Sequence, residues 1–244
     1  MRNLIKVFVV ISTVILFKSA NSQIVRTISI PTTTNSKNEA DTSHWFLSTQ
    51  ALAKQIELKD LLNSIDSFHL RFWIGSQAVD VWTTDHLRST AIITNYAQRY
   101  DDKLLRKSIY KIGRVYWNQV TLDTTKAKKL FSMIRHLSVA DLPSDHEIKG
   151  WGSGFDGEQY LMEVSTTNKY QFKTYWTPRI FADSLNEARR IQKFIDFLND
   201  VLKIKEYYKL KLPKGTYRRD GIPGVHIRMH SEWVPGATRV TDLL

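Results

Sequence analysis

The sequence predicts an α+β domain: an antiparallel sheet of about six strands, with helices packed on one face. Two observations lead to this fold class. Apolar side chains alternate with a period of two in several segments, and two sets of such segments each run into a stretch with apolar side chains at helical spacing. These β-hairpin/strand-then-helix units lie at 67–137 and 157–203. A true internal duplication and two unrelated units of a common type would look the same in sequence.

Residues 1–22 are predicted to be a secretory signal peptide. Two basic residues precede an apolar run at 7–17, and small residues stand at Ala20 and Ser22, before a cleavage site at Gln23. The run is short for a membrane span, so an uncleaved anchor is the weaker alternative. We therefore expect an exported protein, periplasmic or extracellular, with no transmembrane segment after cleavage.

Composition narrows the functional classes. The chain has 244 residues, enough for one or two domains with a sizeable core. It contains no cysteine, which excludes disulfides, thiolate metal sites and cysteine nucleophiles. The formal net charge is +11. Because residues 1–22 contain three basic and no acidic residues, the mature chain keeps 32 basic and 24 acidic residues and a net charge of +8.

Residues 23–43 are predicted to form a flexible N-terminal arm. The stretch 32–43 consists mostly of small and polar residues and lacks large apolar side chains, which is typical of linkers. The α+β domain is expected over 44–204. Its first element is one predicted helix over 45–65, although the apolar periodicity there is imperfect.

A first β-hairpin is predicted around the Gly-Ser pair at 75–76, which has the Gly-X form of a two-residue type II′ turn. This turn pairs Phe72 with Val79 on one face and Arg71 with Asp80 on the other. The apolar match and the charge match support the same register.

The first unit continues with predicted strands over 91–96 and 116–122 and with a helix that begins near Asp123. Asp or a neighbouring Thr at this place caps the first turn by accepting a hydrogen bond from a backbone N–H. Apolar side chains at helical spacing between 127 and 137 indicate one buried side of this helix.

A second β-hairpin is predicted around a three-residue loop at 166–168. That loop places Glu163 opposite Gln171 and puts Lys173 and Tyr175 on the same outward face as Glu163.

The best-defined helix of the sequence follows the second hairpin. Ser184 and Glu187 have the spacing of a capping box, and apolar side chains follow one stripe from 185 to 202. We expect this stripe and the apolar face of the hairpin to be buried against each other.

Residues 205–244 are predicted to be a basic, loop-rich C-terminal extension that packs on the domain. Between 203 and 228 the chain carries eight Lys or Arg residues against only Glu206 and Asp220. Residues 208–212 alternate as an edge strand with lysines outward, a usual guard against edge pairing.

Two motif-like features are rejected as ligand sites. Residues 152–157 fit G-x-G-x-x-G, but a strand follows them, whereas a dinucleotide site needs a helix N-terminus there. The glycines are instead expected to shape the loop before the second hairpin. His226 and His230 flank an arginine, which opposes metal binding. We therefore predict no metal site and no cofactor.

The candidate contact surface combines the outward hairpin faces with the basic extension. For Trp73 and Trp82 two alternatives stay open: packing under the first helix or the extension, or a binding surface suited to a protein or a saccharide. The predicted surface residues are Arg71, Trp73, Trp82, Lys173, Tyr175, Lys209, Lys211, Arg218 and Arg219.

The first functional hypothesis is therefore a non-enzymatic exported interaction module. Its basic extension suits an acidic protein, an acidic glycan or an anionic membrane surface, and export disfavours nucleic acid. The alternative is an exported hydrolase whose catalytic site assembles from separate loops, such as those with the Asp-His pairs at 85–86 and 145–146. No catalytic residue is identified by spacing, and a purely structural role is a third possibility.

Overall fold

The computed structural model describes residues 26–34, 40–83, 88–99, 114–154, 156–218 and 228–231. The predicted signal peptide and its cleavage site lie outside these residues, as do Arg219, His86 and His226. In chain order the strands are β1 (Thr27–Ser29), β2 (Thr32–Thr34), β3 (Ala40–Thr42), β4 (Phe68–Ile74), β5 (Gln77–Thr83), β6 (Ser89–Arg99), β7 (Val115–Thr121), β8 (Gln159–Thr166), β9 (Lys169–Trp176), β10 (Gly215–Arg218) and β11 (Arg228–Ser231). The α-helices are α1 (His44–Gln55), α2 (Thr124–His136), α3 (Pro178–Phe181) and α4 (Asn186–Asp196), and a π-helical turn at Phe197–Val201 continues α4.

Seven strands form the body of one mixed sheet, in the order β1-β9-β8-β4-β5-β6-β7. β10 and β11 extend it beyond β6 to nine strands, while β2 and β3 pair separately. The α+β class is confirmed. The expected purely antiparallel sheet is only approximate, because β1, from the predicted N-terminal arm, runs parallel to β9. No helix in the part of the chain that the structure describes is long and apolar enough to cross a membrane.

Helices cover both faces of the sheet, so the prediction that they pack on one face is wrong. On one face, α2 and α4 bury a large core that includes the contact of Phe72 with Phe194. On the other, α1 packs Phe46 against Phe172, with ring centroids 5.4 Å apart. The physical reason is that the strands carry large side chains at both alternate positions, so each face needs a covering layer.

The first hairpin has the predicted register. Phe72 pairs with Val79 and Arg71 pairs with Asp80 across β4 and β5, and Gly75 takes a positive φ of 53° in the turn. The cap predicted for α2 is also confirmed, because Asp123 accepts a hydrogen bond from the backbone N–H of Lys126.

The register predicted for the second hairpin is wrong by one residue. Its turn has two residues, so that Glu163 pairs with Phe172 and Met162 pairs with Lys173. Because side chains alternate along a strand, this shift moves every residue of β9 to the other face. Glu163 therefore lies on the α1 face, whereas Lys173 and Tyr175 lie on the face of α2 and α4.

Three local predictions need correction. The first helix ends at Gln55, and Glu57 follows with a positive φ of 56°, which a continuing helix does not allow. The capping box at Ser184 does not form, because α4 begins one residue later and the Ser184 hydroxyl donates to a preceding carbonyl. Residues 208–212 are irregular and form no strand.

The glycine-rich stretch shapes a loop that packs closely on the second hairpin, as predicted. A Cβ at Gly154 would lie 2.6 Å from the ring of Trp176, and one at Gly157 would clash with the hydroxyl of Thr177. The glycines thus allow the loop backbone to approach the side chains of the hairpin closely. This packing explains the glycines without a phosphate-binding role.

Candidate functional site

A group of charged side chains lies between α1 and the sheet, and we call it the charge cluster. Residues of β4, β5 and β8 meet there because Arg71 pairs with Asp80 on one side and with Glu163 on the other. Arg71 and Glu163 are 1 % and 0 % exposed. The members of the charge cluster are Lys59, Asp66, His69, Arg71, Asp80 and Glu163.

Glu163 is the acceptor on which most donors converge. Its carboxylate accepts hydrogen bonds from the indole of Trp73 at 3.0 Å, from the hydroxyl of Tyr170 at 2.8 Å and from the amide of Gln50 at 2.9 Å. Arg71 Nη1 adds a longer contact at 3.4 Å. A buried carboxylate needs such donors, since burial without them costs several kcal/mol.

His69 is held between two carboxylates. Its Nδ1 lies 3.0 Å from Asp66 Oδ2 and its Nε2 lies 2.7 Å from Asp80 Oδ1. Carboxylates only accept, so both contacts are hydrogen bonds when both ring nitrogens carry hydrogen. Trp82, which is half-buried, stacks on this imidazole with ring centroids 5.4 Å apart.

The charge cluster combines three basic side chains, on Lys59, His69 and Arg71, with three carboxylates. Burial alone would raise the pKa of Asp80, but the charge of Arg71 and the hydrogen bond from His69 outweigh it, so the pKa of Asp80 is lowered. Burial would likewise raise the pKa of Asp66, but the hydrogen bonds from Lys59 and His69 outweigh it, so the pKa of Asp66 is also lowered. Both carboxyls are thus stabilised in their charged form.

We expect Asp80→Asn to lower the free energy of unfolding at neutral pH by an amount that shrinks as the pH falls below about 4. The pKa of Asp80 is lower in the folded than in the unfolded protein. Its contribution is therefore complete above the unfolded pKa and is lost as the pH falls through the folded pKa. Urea unfolding of both proteins between pH 7 and pH 3 measures the difference. Asp183→Asn, at an exposed position, is the control, and a difference for Asp80→Asn that stays constant over this range contradicts the prediction.

Few side chains of the charge cluster are free to take part in catalysis. Both nitrogens of His69 are engaged by carboxylates and the ring is 3 % exposed, so neither nitrogen is free to contact a substrate. Among the hydrogen bonds of the described residues, none joins a histidine ring to a serine hydroxyl. The described residues also contain no group of His, Asp and Glu suited to hold a metal ion.

The Asp145–His146 pair is also used structurally. Asp145 accepts hydrogen bonds from the Thr174 hydroxyl at 2.6 Å and from the Trp176 N–H at 2.7 Å, which ties its loop to β9. His146 is exposed. The hydrolase alternative remains a prediction, and this pair supplies no positioned nucleophile for it.

A second region, residues 203–214, is called the basic strap. It carries five lysines, all exposed, and Glu206 is its only acidic residue. Two apolar side chains hold it on the domain: Ile204 is 0 % and Leu210 is 6 % exposed. The lysines of the basic strap are Lys203, Lys205, Lys209, Lys211 and Lys214.

Three side-chain amides fix the backbone of the basic strap. Gln77, Asn95 and Asn118 lie side by side on β5, β6 and β7, and each amide donates to the next at 2.7 or 2.8 Å. The same three amides also donate, in this order, to the backbone carbonyls of Ile204, Tyr207 and Lys209 at 2.8, 2.9 and 3.2 Å. We call this row the amide ladder. It makes the strap cross three neighbouring strands in one defined position.

The structure separates the predicted surface residues into two groups. Arg71, Trp73, Lys173 and Tyr175 are buried, each at 3 % exposure or less. Trp73 packs beneath α1, in agreement with the packing alternative. The remaining described side chains, on Trp82, Lys209 and Lys211, reach the surface, whereas the side chain of Arg218 and all of Arg219 lie outside the described residues.

Sequence reasoning missed the amide ladder and the roles of His69 and Tyr170. A signal existed for the ladder: Gln77 ends the first turn, and Asn95 and Asn118 interrupt otherwise strand-forming segments. Amides at such positions indicate that the strand end meets backbone groups of another segment. The segment itself could not be identified, because it is more than 90 residues away from each of these three amides.

Comparison of the chain with family models, with curated proteins and with solved structures gives no match. The functional interpretation therefore depends on the geometry of the charge cluster and the basic strap.

Proposed function

We propose that this chain is an exported, non-enzymatic interaction module that binds an anionic partner through the basic strap. The observation that carries the proposal is the amide ladder, which holds the strap backbone at three carbonyls while all five lysines remain exposed. A segment that only linked two elements would not need three such donors, two of which, Gln77 and Asn95, are buried.

The strap is a better contact surface than the charged face of the first hairpin. On that face the charged groups are already paired with one another and buried, so a partner would have to displace them at a high cost in desolvation. Among the described residues, Lys203 is the one strap lysine with an acidic partner, because its Nζ lies 3.7 Å from Glu206 Oε1. A group of exposed positive charges raises both the rate and the strength of association with an anionic surface.

Charge reversal of Lys205, Lys209, Lys211 and Lys214 to glutamate tests the proposal. We expect the wild-type protein to bind soluble polyanions (dextran sulfate and polyglutamate) and the variant to lose at least a hundredfold in affinity, because four attractive contacts become repulsive. Binding is measured by fluorescence anisotropy with labelled polyanion at 0.1 M salt.

A matched control reverses four exposed basic residues on other elements, namely Lys54, Lys149, Arg179 and Lys193. It changes the net charge by the same amount, so a loss of the same size in both variants would show a general charge effect and would refute the strap as the binding surface. Unchanged binding by the strap variant would refute it as well.

A further inference from the structure

We infer that the anionic partner of the basic strap is a lipid bilayer surface with anionic headgroups; this inference rests on the proposed function. The strap lies across three adjacent strands, which are spaced about 4.8 Å apart. It therefore presents its lysines from a rigid support and not from a freely moving tail.

The chemistry of the strap suits a diffuse anionic surface. All its cations are lysines, which act as compact point charges, whereas paired recognition of a single sulfate or carboxylate favours the fork of arginine. Each lysine near an anionic bilayer strengthens binding on the order of fivefold, and no single headgroup has to pair with it. Two exposed acidic residues lie in or next to the strap, Asp200 and Glu206. They weaken this attraction, but the five lysines outnumber them, so residues 200–214 remain net basic.

An exposed apolar side chain stands at the entry to the strap. Val201 is 59 % exposed and is the last residue of the π-helical turn before the strap. Exposed apolar groups next to a basic surface can enter the interfacial region of a bilayer, which removes them from water. A soluble polyanion offers no such apolar region. Val201 therefore distinguishes a membrane from a soluble polyanion such as polyglutamate.

The test uses the full mature chain and vesicles of phosphatidylcholine, with or without 30 % phosphatidylglycerol. We expect co-sedimentation with the anionic vesicles and not with the neutral ones, and a decrease as salt rises from about 0.1 to 0.5 M. Changing Lys205, Lys209, Lys211 and Lys214 to glutamine should weaken vesicle binding by several hundredfold. Val201→Asn should weaken vesicle binding by about three- to tenfold and leave polyglutamate binding unchanged.

The outcomes separate the two proposals. Binding of soluble polyanions without binding of anionic vesicles, or equal binding of both vesicle types, overturns the lipid inference and leaves the proposed function standing. Equal vesicle binding by wild type and Val201→Asn also overturns the inference. Failure to bind any of the polyanions and vesicles overturns both. Circular dichroism of each variant establishes that the exposed substitutions preserve the fold.

Discussion

Glu163→Leu is expected to lower the free energy of unfolding by about 3 to 5 kcal/mol, because it removes one partner from a buried network of charges. Three neutral donors, on Gln50, Trp73 and Tyr170, would lose their acceptor inside the protein. Arg71 would keep Asp80 but lose its second carboxylate. Urea unfolding at pH 7 measures the change.

Graded variants identify the cause. Glu163→Gln keeps the size of the side chain and one acceptor oxygen, so its effect should lie below that of leucine. Tyr170→Phe removes one hydrogen bond and should cost about 1 kcal/mol. Glu206→Leu, at a site that is 70 % exposed, is the control and should change stability little. If Glu163→Leu proves as mild as this control, the charge cluster does not stabilise the fold.

We expect the free energy of unfolding of the wild type to rise relative to that of Lys173→Met as the pH rises from about 7 to about 10.5. The rise should be about 3 kcal/mol at most. Burial, reinforced by the nearby Lys169, lowers the pKa of Lys173 to about 8. Its ammonium donates to the carbonyls of Ala140 and Leu142 at 2.7 and 2.6 Å, and the described contacts include no carboxylate at hydrogen-bond distance.

The direction of this pH dependence follows from the difference in proton binding between the folded and unfolded states. Between about pH 8 and the unfolded pKa of about 10.4, the unfolded chain holds the proton of Lys173 more tightly than the folded protein does. Stability therefore rises with pH in this window, and the penalty for a buried charge is present in full below it. A neutral amine still has two N–H groups for the two carbonyls. The measurement is urea unfolding at several pH values, with Lys193→Met as the exposed control; a difference between wild type and Lys173→Met that does not change with pH contradicts the prediction.

The two hairpins show how far local patterns reach. In the first, the Gly-Ser turn, the apolar pairs and the pairing of Arg71 with Asp80 all agree, and the register was predicted correctly. In the second, a two-residue turn replaces the three-residue loop that the sequence suggested. β9 carries large side chains on both faces, so its pattern is compatible with either register.

Packing on both faces resolves that ambiguity. The observed register places Phe172 against Phe46 of α1 and brings the Tyr170 hydroxyl to Glu163. The first contact joins residues far apart in the chain, and the second depends on the register itself, so the alternation of β9 alone contains no sign of either. The same limit explains the charge cluster: Arg71 and Asp80 were predicted to be neighbours, but their burial depends on α1, which covers them.

By itself, the sequence determined the α+β class, the first hairpin and the capped helix α2, because these depend on side-chain periodicity, turn residues and capping over a few positions. Only the tertiary structure decided that helices cover both faces, that the charged hairpin face is internal and that the amide ladder holds the basic strap. Each of these depends on contacts between segments distant in the chain, which hydrophobic burial and the need to satisfy buried polar groups select only when the whole chain is folded.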